Sequence, residues 1–563
     1  VLAGVPWALA ILAGHITSML YVTLALAGAA LFQHKRLKQT LLPLAVMLAV
    51  GTALAAVQLA PTAEFGVLSQ RASGGWDEAA RFSMPVEHLV TLVVPDFFGQ
   101  PSVTGYWGPG HYTEFTYYVG VLPLMLALRS ARFRRPAVYF ALLAAGGLML
   151  ALGTNGALFP VASRLAPVFR LERAPARGGF LFVFGASALC GLAVSACADS
   201  AGRRRLSRAV PVWAAALIAG GAALAAVIAL MLFALQPAGA EVGRMFHTGN
   251  ALLQFVVWFA AGAALLIWWR RGGAAAWALP AVIALILLDL WTFGGRLVYT
   301  GPQPPTSMWS TVQDLTAEDY REDGPFRVLP WGVGIFEQNG AALTDDVQSV
   351  FGYNAMTLAD FESFVAAVPD VNARAYDLLN ARYAVATAPL DESAGFDYVG
   401  EGSGVYVYER PDAMPRAWLA GAYEVTNDPV ARLNEPDFDY RAVVLLDAPP
   451  PSEPAGASGE VTVIEEGANR VTLHVEADEA ALLVYSGTYY PGWSADVDGA
   501  PAQVLRADGV LRAVCLPAGE HTVTMRFRPA SLALGALVTL TALALVAAAF
   551  AGVVRDWRRR KNQ

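Results

Sequence analysis

Residues 530–554 read ASLALGALVTLTALALVAAAFAGVV, and Arg555, Arg558, Arg559, Arg560 and Lys561 follow at once. No charge interrupts the apolar run, and about 20 such residues in a helix cross the hydrocarbon core of a bilayer. Short basic segments are held on the cytoplasmic side. The reading is therefore a membrane span whose C-terminal end is cytoplasmic.

Working back from it, similar apolar segments cover residues 1–13, 17–32, 41–60, 116–128, 137–153, 179–197, 210–235, 251–269 and 274–293. With the last, they make about ten spans. The whole chain of 563 residues is 56% hydrophobic and only 15% charged, below the roughly 25% charge of a soluble protein. Basic residues mark every second connection: Lys35, Arg36 and Lys38; Arg129 to Arg135; Arg203 to Arg208; Arg270 and Arg271; then the tail. That alternation supports a multi-pass protein of the cell membrane and places the intervening segments outside. These are loops at 61–115 and 154–178, a short one near Arg244, and a stretch from about 293 to 529 that is too long for a loop.

The organisation expected is a multi-spanning domain over 1–293, an extracytoplasmic α+β region over 294–399, an extracytoplasmic β-sandwich over 400–528, a final transmembrane helix over 529–554 and a basic cytoplasmic tail over 555–563. The sandwich rests on alternation such as Val523, Met525 and Phe527 against Thr522, Thr524 and Arg526, and on Asp498-Gly499 and Asp508-Gly509, which suit tight hairpins. The formal charge of −7 says little about nucleic acid, whereas basic residues set in short clusters beside apolar runs, and not on one basic face, point to no nucleic-acid partner. Cys190, Cys197 and Cys515 form no disulfide or metal spacing. No phosphate-binding glycine loop, dinucleotide fingerprint, nucleophile elbow or zinc-protease motif is present. No cofactor is identified, and a divalent metal remains open without any ligand spacing to support it. Opening at Val1 inside an apolar run, without Met or a charged leader, the chain reads as N-terminally incomplete.

Several motifs run through the chain in order: Ala13-Gly14-His15, Tyr106-Trp107-Gly108, Tyr118-Val119-Gly120, Arg173-Ala174-Pro175-Ala176-Arg177, Phe351-Gly352-Tyr353-Asn354, Leu378 to Tyr383, Tyr490-Pro491-Gly492-Trp493, Val497-Asp498-Gly499 and Pro517 to His521. Together they resemble the YfhO-like family of bacterial membrane proteins. The resemblance implies a fold similar to the C-type (GT-C) lipid-dependent glycosyltransferases, which use polyprenyl-phosphate-linked sugars at the outer membrane face and modify cell-envelope polymers. It also implies an acidic catalytic residue in the first outer loop, expected upstream of Val1.

The residues add their own candidates. Arg164, Arg170, Arg173 and Arg177 break the positive-inside pattern. A guanidinium fork fits phosphate oxygens, so Arg170, Arg173 and Arg177 are candidates for the donor phosphate; pairing with lipid head groups or loop carboxylates is the competing account. Glu114, His111 and Asp96 are catalytic candidates, since sugar transfer needs a group to take the acceptor proton. Tyr106 and Trp107 suit ring stacking, or simply the interfacial level that aromatics favour. Asp289, within an apolar run, reads as pairing with an outer arginine or snorkelling. His15, in a turn, reads as a site ligand or a backbone-bonded turn residue. The expected partners are membrane lipids, a polyprenyl-phosphate-linked sugar and an envelope glycopolymer acceptor. Besides a glycosyltransferase, two classes stay open: a transporter or flippase for lipid-linked saccharide, and a non-catalytic assembly protein whose outer domain binds a polymer.

Overall fold

A computed structural model describes residues 1–33, 37–72, 74–101, 105–130, 135–166, 169, 174–197, 240–271, 275–297, 307–322, 324–334, 338–339, 347–354, 356–368, 370–391 and 395–563. The chain folds as two compact units. One comprises Val1–Thr52, Gly74–Gly301 and Ala549–Gln563; the other comprises Ala53–Ser73 and Pro302–Ala548.

Among the described residues, four helices are long and apolar enough to cross a membrane: Pro175–Ala196, Val242–Trp269, Trp277–Gly294 and Ala530–Lys561. The pair Gln39–Leu54 and Ala56–Leu68 makes a fifth if counted as one bent span. Thr17–Phe32 and Arg135–Ala151 are apolar but shorter. The protein is thus a membrane protein with several apolar helices, of which four or five reach spanning length among the described residues, against about ten expected. The segment expected at 210–235 lies outside the described residues. Over the one expected at 116–128 the helix is the ten-residue Val121–Ser130; Thr116 is extended and Gly120, just before the helix, has φ of +93°. Helix also runs past the loop boundary expected at residue 61, since Pro61 sits inside Ala56–Leu68.

In the first unit, the helix pairs are locked by small residues and aromatics. Ala144, Phe182, Ala186 and Leu189 are buried together with Leu92 and Val119, and Val121, Leu122, Met125 and Leu126 are buried with Phe259, Ala263 and Val282. A two-stranded ribbon, β1 (Gly99–Gln100) and β2 (Gly105–Tyr106), pairs antiparallel.

Among the described residues, the second unit carries three sheets. The first comprises β3 (Arg327–Trp331), β4 (Ala381–Ala386), β5 (Asp397–Gly402) and β6 (Val405–Glu409), in the order β3-β4-β6-β5, with β3 and β4 parallel. Next along the chain come β7 (Ala417–Ala420), β8 (Ala422–Val425), β9 (Val443–Leu446), β10 (Gly459–Gly467), β11 (Arg470–Ala477), β12 (Ala481–Tyr485), β13 (Trp493–Val497), β14 (Ala500–Ala502), β15 (Leu505–Ala507), β16 (Leu511–Leu516) and β17 (Gly519–Phe527). They form a six-stranded sheet, β7-β12-β16-β15-β9-β8, and a five-stranded sheet, β10-β11-β17-β13-β14.

Strand β12, reading ALLVY, explains how the layers meet. Successive side chains point to opposite faces. Ala481, Leu483 and Tyr485 join Val471, Leu473, Val523 and Met525 of the five-stranded sheet in one apolar core. Leu482 and Val484 join Leu378, Ala381 and Ala384 in another. All five residues of the strand are buried. A central strand covered on both faces loses the apolar–polar alternation. Residues 399 and 400, where the split was expected, both lie within β5, which pairs with β6 from Asp397 to Gly402. The expected hairpins do form. Val497 pairs with Ala500 across Asp498-Gly499, with φ of +51° and +81°, as a two-residue primed turn requires. At Asp508-Gly509 the loop is one residue longer, because Ala507 pairs with Leu511.

Candidate functional site

In the first unit, three sequence candidates from distant segments come together. Gly179 starts a helix just after Pro175–Gly178, a short 3-10 turn that holds Arg177. Its Nε and Nη2 donate to Glu114 Oε2 and Oε1 at 2.9 and 2.6 Å. Its Nη1 lies 3.1 Å from His15 Nε2. The other ring nitrogen, Nδ1, accepts from the Ser18 backbone N–H at 3.2 Å and lies 2.9 Å from Ser18 Oγ; donors thus face both nitrogens, which disfavours the doubly protonated, cationic ring. Desolvation, and then the Arg177 charge, push the His15 pKa down, which favours this neutral ring. The fork expected to hold a donor phosphate is therefore occupied by a carboxylate, in the bidentate geometry that makes such pairs specific. Arg170 and Arg173 lie outside the described residues.

His111 sits at the N-cap of the short helix Tyr112–Phe115 that carries Glu114, its ring edge-on to Phe82 at 4.9 Å. Tyr106 and Trp107 are packing residues. The Tyr106 hydroxyl donates to Pro109 O at 3.0 Å and therefore accepts from His88 Nε2 at 2.7 Å. Burial pushes its pKa up to about 12. Trp107 packs edge-on to Phe98 with ring centres 5.0 Å apart.

Asp289 is 3% exposed, and its partners among the described residues are a tyrosine and a backbone amide. Its Oδ1 accepts from Tyr118 Oη at 2.7 Å, and its Oδ2 accepts from the Val121 backbone N–H at 2.8 Å, the first residue of helix Val121–Ser130. The carboxylate thus caps a helix start, where unpaired N–H groups attract negative charge. Gly120 makes this possible: a Cβ there would lie 3.3 Å from Asp289 Oδ2. The Tyr118-Val119-Gly120 motif is accordingly one capping device.

Asp96 lines a polar cleft with Gln100, His247, Asn250, Gln254 and Arg296. Arg296 Nη1 lies 3.9 Å from Asp96 Oδ2. Burial raises the Asp96 pKa, and Arg296 opposes that rise. A neighbouring cleft joins Asp96 to Tyr118, Trp258 and Asp289. Reading the sequence for loops alone passes over His247, Asn250 and Gln254, which sit on the helix Ala240–Arg270. Their i, i+3, i+7 spacing puts them on one helical face, and a polar stripe at that spacing at the start of an apolar run is the signal that finds them. Among the described residues, no group of three His, Cys, Asp or Glu side chains is placed to hold a metal.

In the second unit the motif residues serve the fold. His521 Nδ1 lies 2.7 Å from Asp498 Oδ2, and Asp498 Oδ1 accepts from Thr522 N at 2.8 Å, so Val497-Asp498-Gly499 and Pro517 to His521 close one corner together. The Tyr490 ring packs on Phe527 and Phe65 at 5.6 and 6.3 Å. Asn380, in the Leu378 to Tyr383 motif, takes φ of +58° and donates through Nδ2 to Met414 O at 3.0 Å.

No curated protein and no solved structure matches this chain. Residues 457–539, which contain the Tyr490 to Trp493, Val497 to Gly499 and Pro517 to His521 motifs, match the family model of the bacterial membrane protein YfhO, the family that the sequence resembles.

Proposed function

We propose that this protein is a GT-C-like membrane glycosyltransferase, which moves a sugar from a polyprenyl-phosphate carrier to a cell-envelope polymer or lipid at the outer face, and that the Asp96 cleft is where transfer occurs. The observation that carries the reading is the meeting of a carboxylate with a raised pKa, a guanidinium and a polar helical face at one cleft. In the reaction the acceptor hydroxyl oxygen bonds to the anomeric carbon, the bond from that carbon to the phosphate oxygen breaks, and the polyprenyl phosphate leaves. Asp96 takes the acceptor proton, for which a carboxylate with a pKa moved toward neutrality is suited. Arg296 faces the charge that grows on the leaving phosphate. His247, Asn250 and Gln254 orient hydroxyl groups. The enclosed part of the cleft is about 30 Å³, room for one water, so the sugar ring lies at its mouth. The Arg177–Glu114 pair sets the shape of its own loops.

The test is transfer of labelled sugar from polyprenyl-phosphate donors by the full chain in lipid vesicles. Asp96→Asn should lower turnover by about 10²-fold or more with an unchanged melting midpoint. Wild-type turnover in that variant removes the cleft from the mechanism. A second reading is favoured by the position of the family match, which lies in the β-rich residues 457–539: a non-catalytic envelope assembly protein whose β domain binds a polymer. Absence of turnover with every donor, together with retention on immobilised envelope polymer, selects it. Movement of labelled carrier between leaflets without transfer selects a flippase.

A further inference from the structure

The last helix does not end where its apolar run ends. Ala530–Lys561 is continuous for 32 residues, so the basic residues expected as a tail stand on the same rigid rod as the span before them. Of the whole helix only Gly535 and Ala542 are buried. A spanning helix left bare to that degree meets acyl chains along its apolar length, and its end meets whatever those chains are attached to.

A cleft of about 480 Å³ runs along the final turns. Phe550, Ala551 and Val554 line it toward the span, and Arg555, Arg558 and Arg559 line it toward the terminus. The lining thus holds three guanidinium groups and no carboxylate; the nearby Asp556 takes no part in it. Arg560 takes no part either, because two positions beyond Arg558 is about 200° round a helix.

The depth fits one layer of a bilayer. From Arg555 to Arg559 the helix rises about 6 Å, and the polar head-group layer of one leaflet is roughly 5–7 Å thick. Trp557 marks the same level: it is 61% exposed, with the Lys561 amine 5.3 Å from its ring centre, and tryptophan favours the head-group level.

We propose that this cleft binds the head group of one anionic phospholipid. Its phosphate lies on Arg555, Arg558 and Arg559, whose forks match phosphate oxygens, and the upper part of its chains lies on Phe550 and Val554. The apolar half of the lining separates this occupant from a free phosphate ion, which has nothing to place there. A zwitterionic lipid brings a cation to a lining that offers it no carboxylate. The site shares no residue with the Asp96 cleft and does not depend on the sugar-transfer reading.

The experiment titrates the full chain in neutral detergent with phosphatidylglycerol, or with phosphatidylcholine as the zwitterionic control, and counts bound lipids by native mass spectrometry. Phosphatidylglycerol should fill one saturable site about tenfold more tightly than phosphatidylcholine. Arg558→Gln should lower that affinity about tenfold, whereas Arg560→Gln, which removes the same charge from the opposite side, should change it by less than about twofold. Both side chains are exposed, so both variants should melt as the wild type does. Equal losses in the two variants show diffuse attraction to the whole tail and overturn the proposal, as does equal affinity for the two lipids. Displacement by inorganic phosphate makes the free ion the occupant, and displacement by a lower concentration of polyprenyl phosphate makes it the carrier lipid. Either result overturns the phospholipid assignment.

Discussion

Asp508 sits in the hairpin between β15 and β16, 1% exposed, with φ of +49°. Its Oδ1 accepts from the Leu445 N–H at 2.9 Å, its own N–H donates to Leu445 O at 2.7 Å, and its Oδ2 is buried without a partner. Burial pushes its pKa from 3.8 up to about 7. For an acid whose folded pKa is raised, the folded chain holds the proton more tightly. The stabilisation is complete below the unfolded pKa and is lost as pH rises through the folded one. At about 1.4 kcal/mol for each pH unit, the interval from 3.8 to about 7 corresponds to roughly 4 kcal/mol. Asp508→Asn keeps the Leu445 acceptor, tolerates positive φ and does not titrate. Where the protonated acid leaves one O–H unpaired, the amide leaves an –NH2 group, so at pH 4 the variant should be close to, or somewhat below, the wild type in stability. By pH 8 the difference should have moved in the variant's favour by roughly 4 kcal/mol, which for a unit of this size raises the melting midpoint by about 10 °C. Melting of both proteins from pH 4 to 8, read as the difference between them, isolates this group from every other titration. A difference that does not change with pH refutes the burial argument.

Three further outcomes follow from particular contacts. Gly120→Ala forces a side chain into φ of +93° and against Asp289 Oδ2, and should destabilise the first unit by about 1–2 kcal/mol, seen as a lower melting midpoint. Asp377→Ala leaves Arg410, its 2.6 Å partner, buried and unpaired, with an expected loss of about 3–5 kcal/mol in denaturant unfolding. Glu114→Gln removes one charge of a pair whose side chains are 35% and 20% exposed; solvent screening holds the loss to about 1 kcal/mol, measurable by thermal melting.

Membrane character was legible because a span is a local property: residues 530–554 are apolar and uncharged whatever surrounds them, and the helix Ala530–Lys561 follows. The Asp498-Gly499 turn was legible for the same reason, since positive φ is set within two residues. Where a helix begins was not, because nothing in the apolar segment 116–128 marks that helix starts only at Val121. The layering of the second unit was hidden by the fully buried strand Ala481–Tyr485, whose two faces meet different cores and so show no alternation.

The sites divide in the same way. Composition singled out Glu114, Arg177, His15, Asp96 and Asp289 as unusual residues for their places. Which of them meet was a matter of long-range geometry. Arg177 reaches Glu114 across 63 positions and His15 across 162, and Asp289 finds the Val121 N–H across 168. A charge in the sequence demands some partner, because an unpaired buried ion is costly. Only the folded chain decides that the partner of Arg177 is a carboxylate and that of Asp289 a helix start.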